Sequence, residues 1–219
     1  MKIPRRRARH NLILFILCLI YVFIIGLFDN YFDFIHYVYF SVLTLIFLYS
    51  ILSIQDTRNK FLYLPLIMII LTWVSEIFNF PFLSEVTLVL SIIFFFYIIF
   101  YLVSRVASSK TVGSLEFLES INVYLLLGIA ASLVFTLVYS SNHEAYNPPG
   151  EVLNSHADFI YYSFVTMTTL GYGDITPKDS LARSLSIFFS VAGQLYLTMI
   201  IAMLVGKYLG QATKDDPDT

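Results

Sequence analysis

Apolar stretches of nearly membrane-spanning length follow one another along most of this 219-residue chain, and they exclude most soluble folds. A helix that crosses a bilayer needs about 20 mostly apolar residues. The predicted membrane spans number six: Asn11–Phe28, Phe34–Ile54, Phe61–Phe78, Leu83–Ser104, Ile121–Tyr139 and Leu181–Gly210. A further apolar stretch, Asp158–Thr168, is too short to span. We expect a re-entrant helix there, which a membrane tolerates only where protein or water surrounds it.

The composition supports an all-α membrane protein. Hydrophobic residues make up 58% of the chain and charged residues only 13%, against about 25% charged in a soluble domain. The net charge of −2 gives no reason to expect a nucleic-acid partner. The single cysteine, Cys18, lies in an apolar run, so this chain has neither an intrachain disulfide nor a thiolate metal site.

The distribution of Lys and Arg predicts how the chain is oriented. The basic residues before Asn11 also occur in signal peptides, but the apolar run ends at Gly26-Leu27-Phe28-Asp29 without a small-residue cleavage pattern. We therefore expect an uncleaved first helix. With a cytoplasmic N-terminus, all of the 13 Lys and Arg except Lys178 and Arg183 lie on the cytoplasmic side. Both termini are then cytoplasmic.

The predicted spans divide the chain into four parts. Residues 1–104 form an N-terminal domain of four helices, and residues 121–210 form a second domain with the re-entrant segment. Between them, Leu115, Phe117 and Leu118 alternate with polar residues, which predicts a cytoplasmic amphipathic linker over 105–120. Residues 211–219 are predicted to be a short cytoplasmic tail, and we expect no soluble ligand-binding domain in this chain.

The segment Thr168-Thr169-Leu170-Gly171-Tyr172-Gly173-Asp174 carries the strongest functional signal. Its two glycines tolerate backbone angles that other residues resist, so the stretch can point successive carbonyls to one side. A ring of such carbonyls can replace the hydration shell of a monovalent cation. Gly-Tyr-Gly alone is a weak motif, but its place between two apolar segments strengthens the interpretation.

These residues resemble the selectivity filter of K⁺ channels, with Leu170 where Val is usual. The stretch from about Ser120 to Gly210 is similar to the pore module of tetrameric K⁺ channels, which runs outer helix, pore helix, filter and inner helix. The resemblance implies a homotetramer in the plasma membrane that conducts K⁺ passively. It implies K⁺ ions in the filter and no other cofactor.

The resemblance also implies a set of ion ligands. The backbone carbonyls of Thr169, Leu170, Gly171 and Tyr172 would bind K⁺, with the Thr169 hydroxyl closing the inner site. Gly173 would complete the filter. The C-terminal end of the pore helix would point at the ion cavity, where its dipole favours a cation.

Residues around the filter have predicted supporting roles. Thr168 precedes the filter, and Tyr161 and Tyr162 either form an aromatic cuff around it or anchor the segment at the membrane interface. Asp174 follows the filter. Where some family members carry a Glu to pair with that acid, this chain has Val165, so the nearest donor for Asp174 is Tyr161. Alternatively, Asp174 is a solvated charge that concentrates cations at the mouth.

The last predicted helix carries Gly193, twenty residues beyond Gly173. The resemblance places a gating hinge there, and close packing is the alternative. The residues expected to line the cavity below the filter follow at helical spacing: Gln194, Leu197, Ile201 and Val205. An apolar ring near the last two would close a pore by dewetting.

Six helices with a C-terminal pore are typical of voltage-gated channels, but the fourth predicted helix has no Lys or Arg between Leu83 and Val103. Moving a charge through the membrane field supplies about 2.3 kcal/mol per 100 mV. We therefore expect no steep voltage dependence.

Alternative functions remain open at this point. A weakly selective cation channel shares the architecture, although the intact Gly-Tyr-Gly disfavours it. A secondary transporter predicts inverted repeats and interrupted helices in both halves, and only one re-entrant segment is evident. A membrane enzyme needs an acid–base or metal cluster. The pairs His143-Glu144 and His156-Ala157-Asp158 are better explained as a solvated external loop, so we expect no enzyme activity. A purely structural subunit would not need the filter glycines.

Overall fold

The structure is a computed structural model that describes residues 5–28, 34–54, 63–78, 80–109, 113–147, 153 and 156–215. These residues form seven α-helices and one short pair of strands. The helices are α1 (Arg5–Leu19), α2 (Ile35–Ile54), α3 (Tyr63–Phe78), α4 (Pro81–Ser108), α5 (Ser114–Ser141), α6 (His156–Met167) and α7 (Ser180–Asp215). The expectation of an all-α protein is confirmed.

Five of these helical segments are long and apolar enough to cross a membrane, counting α1 together with its continuation. The shorter α3 has 16 described residues and falls below that length. Residues 61 and 62, which belong to the predicted third span, lie outside the described part of the chain. The structure thus supports a multi-pass membrane protein, and the sixth span remains a prediction.

Helix α1 changes its winding near its C-terminal end. It continues as a π-helix over Ile20–Ile24 and then as a 3₁₀ turn over Ile25–Phe28. A π-helical turn is rare in proteins and is often found at functional sites. Here it carries the buried Tyr21, whose ring meets that of Tyr39 on α2 edge to face, with centroids 5.5 Å apart.

Helix α5 occupies the centre of the molecule and packs against α1, α4, α6 and α7. It is apolar around its whole circumference, as expected for a helix that is buried on all sides. Val123, Leu126, Ile129 and Phe135 are each 0% exposed. The N-terminal helices and the re-entrant segment therefore pack against one shared element.

Three predicted boundaries are wrong. The linker expected over 105–120 is not a separate element, because α4 runs to Ser108 and α5 already begins at Ser114. The backbone N–H of Gly113 donates to Glu116 at 3.0 Å and stabilises this early start. The tail predicted from residue 211 begins later, since α7 continues to Asp215. His156 and Asp158, expected in an external loop, belong to the first turn of α6.

A short antiparallel pairing joins the segments on either side of the re-entrant region. Strand β1 (Tyr146–Asn147) pairs with β2 (Thr176–Pro177), with Tyr146 opposite Pro177. The backbone N–H of Lys178 also donates to the carbonyl of Ala145 at 2.8 Å. These bonds join the segment that follows α5 to the segment that precedes α7, and so close the hairpin that contains α6 and the loop after it.

Candidate functional site

The predicted filter follows α6 as an extended loop with an unusual backbone. Thr169, Gly171 and Gly173 have φ values of 59°, 56° and 80°, so every second residue lies in the left-handed region. Elsewhere in the described chain no residue other than glycine has a positive φ. A backbone that changes hand at alternate residues turns successive carbonyls towards the same side, which is the arrangement a cation cage needs.

Thr169 is strained by this geometry. A β-branched residue with positive φ is a true outlier, because its Cβ crowds the neighbouring carbonyl. Such strain costs on the order of 1–3 kcal/mol and persists only where the surroundings enforce it. The sequence assigned freedom to the two glycines, but it gave no sign that the threonine shares their conformation.

The end of α6 supplies the surroundings that hold the loop. The backbone N–H groups of Leu170 and Gly171 both donate to the carbonyl of Val165, at 3.1 and 3.2 Å. The Thr168 hydroxyl donates to the carbonyl of Phe164 at 2.6 Å. Val165, whose side chain offers no carboxylate, therefore supports the predicted filter through its backbone carbonyl.

A side-chain hydrogen bond fixes the outer end of the loop. The Tyr161 hydroxyl donates to the Asp174 carboxylate, the pairing expected from the absence of an acid at residue 165. The other Asp174 oxygen accepts from the backbone N–H of Ile175 at 2.9 Å. The bond from Tyr161 lowers the pKa of Asp174 below its usual value. The same bond is the main reason that the pKa of Tyr161 rises to about 12.

The two tyrosines of α6 face different partners. The ring of Tyr161 stacks on that of Tyr172, with centroids 6.4 Å apart and planes 7° apart. Tyr162 is buried, and its hydroxyl lies 2.7 Å from the Ser186 hydroxyl on α7. Both side chains are thus tied to the filter or to the helix behind it, which favours the cuff over simple interfacial anchoring.

At Gly193, α7 packs tightly against the end of α6. A Cβ added at this residue would lie 2.7 Å from the Met167 carbonyl oxygen, closer than real Cβ contacts come. The Gln194 amide donates to the same oxygen at 3.3 Å. Helix α7 runs through this point without a break. The structure therefore gives Gly193 a packing role, and the hinge stays a prediction.

The lower residues of the predicted cavity lining, Leu197, Ile201 and Val205, follow one another at four-residue spacing along one side of α7. Leu197 and Ile201 border a groove of about 310 Å³ between α5 and α7. Ile201 and Val205 are 57% and 51% exposed in the single chain. The single chain does not test whether these side chains line a cavity, so that role remains a prediction.

Sequence reasoning missed a buried charged cluster at the predicted cytoplasmic end of the helices. Glu119 on α5 is 0% exposed, and its carboxylate accepts two hydrogen bonds from Arg7 on α1, at 3.0 and 2.9 Å. Arg105 on α4 donates to the same carboxylate and also to the Ser53 carbonyl on α2, at 3.1 Å. Asn11 adds a bond of 3.1 Å to the carboxylate. We call Arg7, Asn11, Arg105 and Glu119 the carboxylate cluster.

A second missed contact joins α7 to α4. The Lys207 ammonium group donates to the carbonyls of Val106, Ala107 and Ser109, at 3.2, 2.9 and 2.7 Å. The last carbonyls of a helix lack partners within the helix, and a cation there also meets the negative end of the dipole. The bonds from Arg7 to Glu119 and from Lys207 to Ser109 join residues 112 and 98 positions apart, which helical periodicity cannot show.

Comparison with known proteins agrees with this site. Residues 123–209 match the Ion channel family, a stretch that contains most of α5, α6, the filter loop and most of α7. No solved structure matches the chain. Within the described residues, no group of three or more His, Cys, Asp or Glu could hold a metal ion.

Several curated relatives are potassium channels. The two-pore potassium channel 2 of Arabidopsis thaliana is 34% identical over 101 residues, covering 45% of this chain and 20% of the relative. Potassium channel K2 of Plasmodium berghei (strain Anka) is 36% identical over 74 residues, or 32% and 5% of the two chains. The voltage-gated potassium channel KCNC4 of Rattus norvegicus is 33% identical over 100 residues, or 42% and 15%.

The matched region thus spans a fifth or less of each of these relatives. The family match over residues 123–209 coincides with the helices that hold the strained loop. Residues 123–209 thus match the Ion channel family, and over part of its length the chain is similar to potassium channels.

Proposed function

We propose that four copies of this chain form a K⁺-selective channel in the plasma membrane. The observation that carries the proposal is the left-handed backbone at Thr169, Gly171 and Gly173, in a loop anchored to the end of α6. One such loop supplies a quarter of a carbonyl cage, so four chains must meet on an axis. The ligands are the carbonyls of residues 169–172.

Exposed apolar surface beside the loop supports the tetramer. Leu170 and Tyr172 are 56% and 66% exposed in the single chain. Along α7, Ile187, Val191, Leu195 and Met199 form a face that is at least half exposed. Side chains that point away from the ion pack behind the filter of a neighbouring subunit, and the apolar face of α7 meets neighbouring helices or lipid.

The membrane orientation follows from the charges. With both termini in the cytoplasm, the filter mouth with Asp174 faces outward, and the carboxylate cluster and Lys207 lie at the inner side. Gating does not use the fourth helix as a charged sensor, since Arg105 is the one basic residue of α4 and it is bound in the carboxylate cluster. The conductance–voltage curve should therefore be shallow, and a curve that needs several charges per subunit would contradict this part of the proposal.

Leu170 raises a second candidate within the same class, a weakly selective monovalent cation channel. Leucine is larger than the usual valine and changes the volume behind the filter, while the carbonyl ligands stay the same. A filter that packs poorly loses selectivity before it loses conduction. The reversal potential separates the two candidates.

The test is the reversal potential of the purified full chain in a planar bilayer, with K⁺ on one side and Na⁺ on the other. A selective pore reverses close to the K⁺ equilibrium potential. Gly171→Ala should abolish this selectivity, because the new side chain opposes the φ of 56°.

Gly206→Ala is the matched control, since a Cβ there has no heavy atom within 4 Å among the described residues. This variant should reverse where the original chain does. A reversal near zero for the original chain would support the weakly selective candidate. Dimers or monomers by native mass spectrometry would contradict the tetramer.

A further inference from the structure

A cavity of about 110 Å³ lies between the N-terminal helices and the ion-channel domain. Every helical segment from α1 to α6 contributes to its wall, and α1 does so through Tyr21 in the π-helical turn. His156, the first residue of α6, closes one side and packs against Tyr39 and Phe40. The cavity thus touches both regions of the molecule and plays no part in the ion path proposed above.

Four hydroxyl groups of the cavity wall already donate their protons within their own helices. Thr72, Ser91 and Thr136 each donate to the carbonyl four residues earlier, at 2.7, 2.7 and 2.9 Å. Ser75 donates to the Thr72 carbonyl at 2.9 Å. A hydroxyl that donates within its own helix offers only lone pairs elsewhere. These four hydroxyls therefore offer hydrogen-bond acceptors to the cavity, which suit a ligand that donates a hydrogen bond.

The buried hydroxyl group of Thr87 gives a second reason to expect a ligand in this cavity. This residue is 4% exposed, and its Oγ1 has no hydrogen-bond partner within the described residues. Buried polar atoms are almost always paired in proteins. An unpartnered hydroxyl on a cavity wall indicates a group that binds there.

The remaining wall and the size narrow the ligand class. Phe40, Leu43, Leu88 and Leu133 present hydrocarbon, and none of the described residues that line the cavity is Asp, Glu, Lys or Arg. An apolar cavity of about 150 Å³ holds one benzene molecule. This cavity is smaller, which leaves room for about four or five non-hydrogen atoms on the same scale.

We propose that this cavity, which we call the hydroxyl cavity, binds a small neutral molecule with one hydroxyl and a short hydrocarbon body, such as a three-carbon alcohol. The ligand hydroxyl donates to one of the helix-bound oxygens and accepts from Thr87, and its hydrocarbon lies against the leucines. Any effect of the ligand on current rests on the proposed channel function, but binding itself does not.

The probe is 1-propanol, added to the full chain in lipid nanodiscs and observed by saturation-transfer NMR, with empty nanodiscs as the blank. A saturable signal above the blank is expected. Thr87→Val keeps the shape and removes one neutral hydrogen bond, so the affinity should fall about fivefold. Ser91→Leu fills the cavity and should abolish the saturable signal.

Thr44→Val is the matched control, because Thr44 is a buried threonine of α2 that donates to its own helix and does not line the cavity. Its affinity should equal that of the original chain, and thermal melts confirm that each variant is folded. A signal no larger than the blank means that water alone fills the cavity and overturns the proposal. Equal affinity in Thr87→Val and the original chain overturns it as well, even if Ser91→Leu fails to fold.

Discussion

The N-terminal helices and the ion-channel domain position their polar groups in opposite ways. In the ion-channel domain, the functional loop is held mainly by its own backbone, through two N–H groups on the Val165 carbonyl. In the N-terminal region, polar contacts run between side chains of different helices, as in the carboxylate cluster. A site built from backbone groups therefore leaves a compact motif in the sequence. A site built from side chains of different helices leaves residues that are scattered along the sequence.

The two helices that begin and end the ion-channel domain show the same contrast in burial. In the most apolar 18-residue stretch of α5, 72% of the residues are buried within the single chain. In the corresponding stretch of α7, 22% are buried. Helix α5 is therefore a scaffold completed by its own chain, while α7 needs partners outside it. Four substitutions test these differences, and they are given in order of decreasing expected effect.

Removing the Glu119 carboxylate should destabilise the chain most. Glu119→Leu leaves Arg7 and Arg105 as partly buried charges with their acidic partner gone, and breaking a buried ion pair on one side costs about 3–5 kcal/mol. Unfolding in detergent, followed by circular dichroism, measures this loss.

The matched control is Glu144→Gln, whose carboxylate is exposed and lies 3.8 Å from Lys178. Exposed pairs contribute about 0–1 kcal/mol, so this change should hardly matter. Equal effects of the two substitutions would mean that the carboxylate cluster is hydrated and not structural.

Gly193→Ala should come next. The added methyl group must push α7 away from the Met167 carbonyl, and overpacking of this kind costs typically 1–3 kcal/mol. Gly206→Ala has open space around it and should stabilise the helix slightly, since Ala exceeds Gly by up to about 1 kcal/mol. If Gly193→Ala changes channel opening while its unfolding free energy matches that of Gly206→Ala, Gly193 is a hinge and not a packing contact.

Lys207→Met should cost about 0.3–1 kcal/mol, because it removes a cation from the C-terminal end of α4. Lys207→Arg keeps the charge and should recover part of the loss. Hydrogen exchange of the amides in the last turn of α4 reports the effect directly. Unchanged exchange in Lys207→Met would show that the helix end is capped in another way.

Tyr161→Phe should have the smallest effect on stability, about 1 kcal/mol or less after allowance for solvent screening of these exposed groups. The bond lowers the Asp174 pKa, so its contribution is complete above the ordinary Asp value and disappears as the pH falls through the lowered one. At high pH it disappears as Tyr161 ionises near a pKa of about 12.

The pH dependence checks this assignment. The difference in unfolding free energy between Tyr161→Phe and the original chain should be constant near neutral pH and vanish in strong acid. The Asp174 pKa, measured by carboxyl NMR, should rise towards its ordinary value in the variant. A pKa that does not change would exclude Tyr161 as the cause of the shift.

The left-handed backbone at Gly171 and Gly173 was predictable from sequence, because glycines at fixed local spacing allow it. The pairing of Tyr161 with Asp174 was also accessible, since both lie in one hairpin. The prediction of a linker over 105–120 was wrong because its polar residues were assigned to the membrane surface. Arg105 instead donates a hydrogen bond to the Glu119 carboxylate inside the helix bundle. The hydroxyl cavity could not be predicted from the sequence either, because its wall comes from six helical segments that are far apart in the sequence.

The carboxylate cluster has a consequence for how the chain is made. Arg7 and Glu119 are 112 residues apart, so the arginine emerges from the ribosome long before its partner. At synthesis rates of about 5–20 residues per second, α1 waits roughly 6–22 seconds for α5. During this interval Arg7 needs water or lipid headgroups, whereas Arg105 precedes Glu119 by only 14 residues and waits far less. The late arrival of one carboxylate then locks helices that entered the membrane at different times into a single bundle.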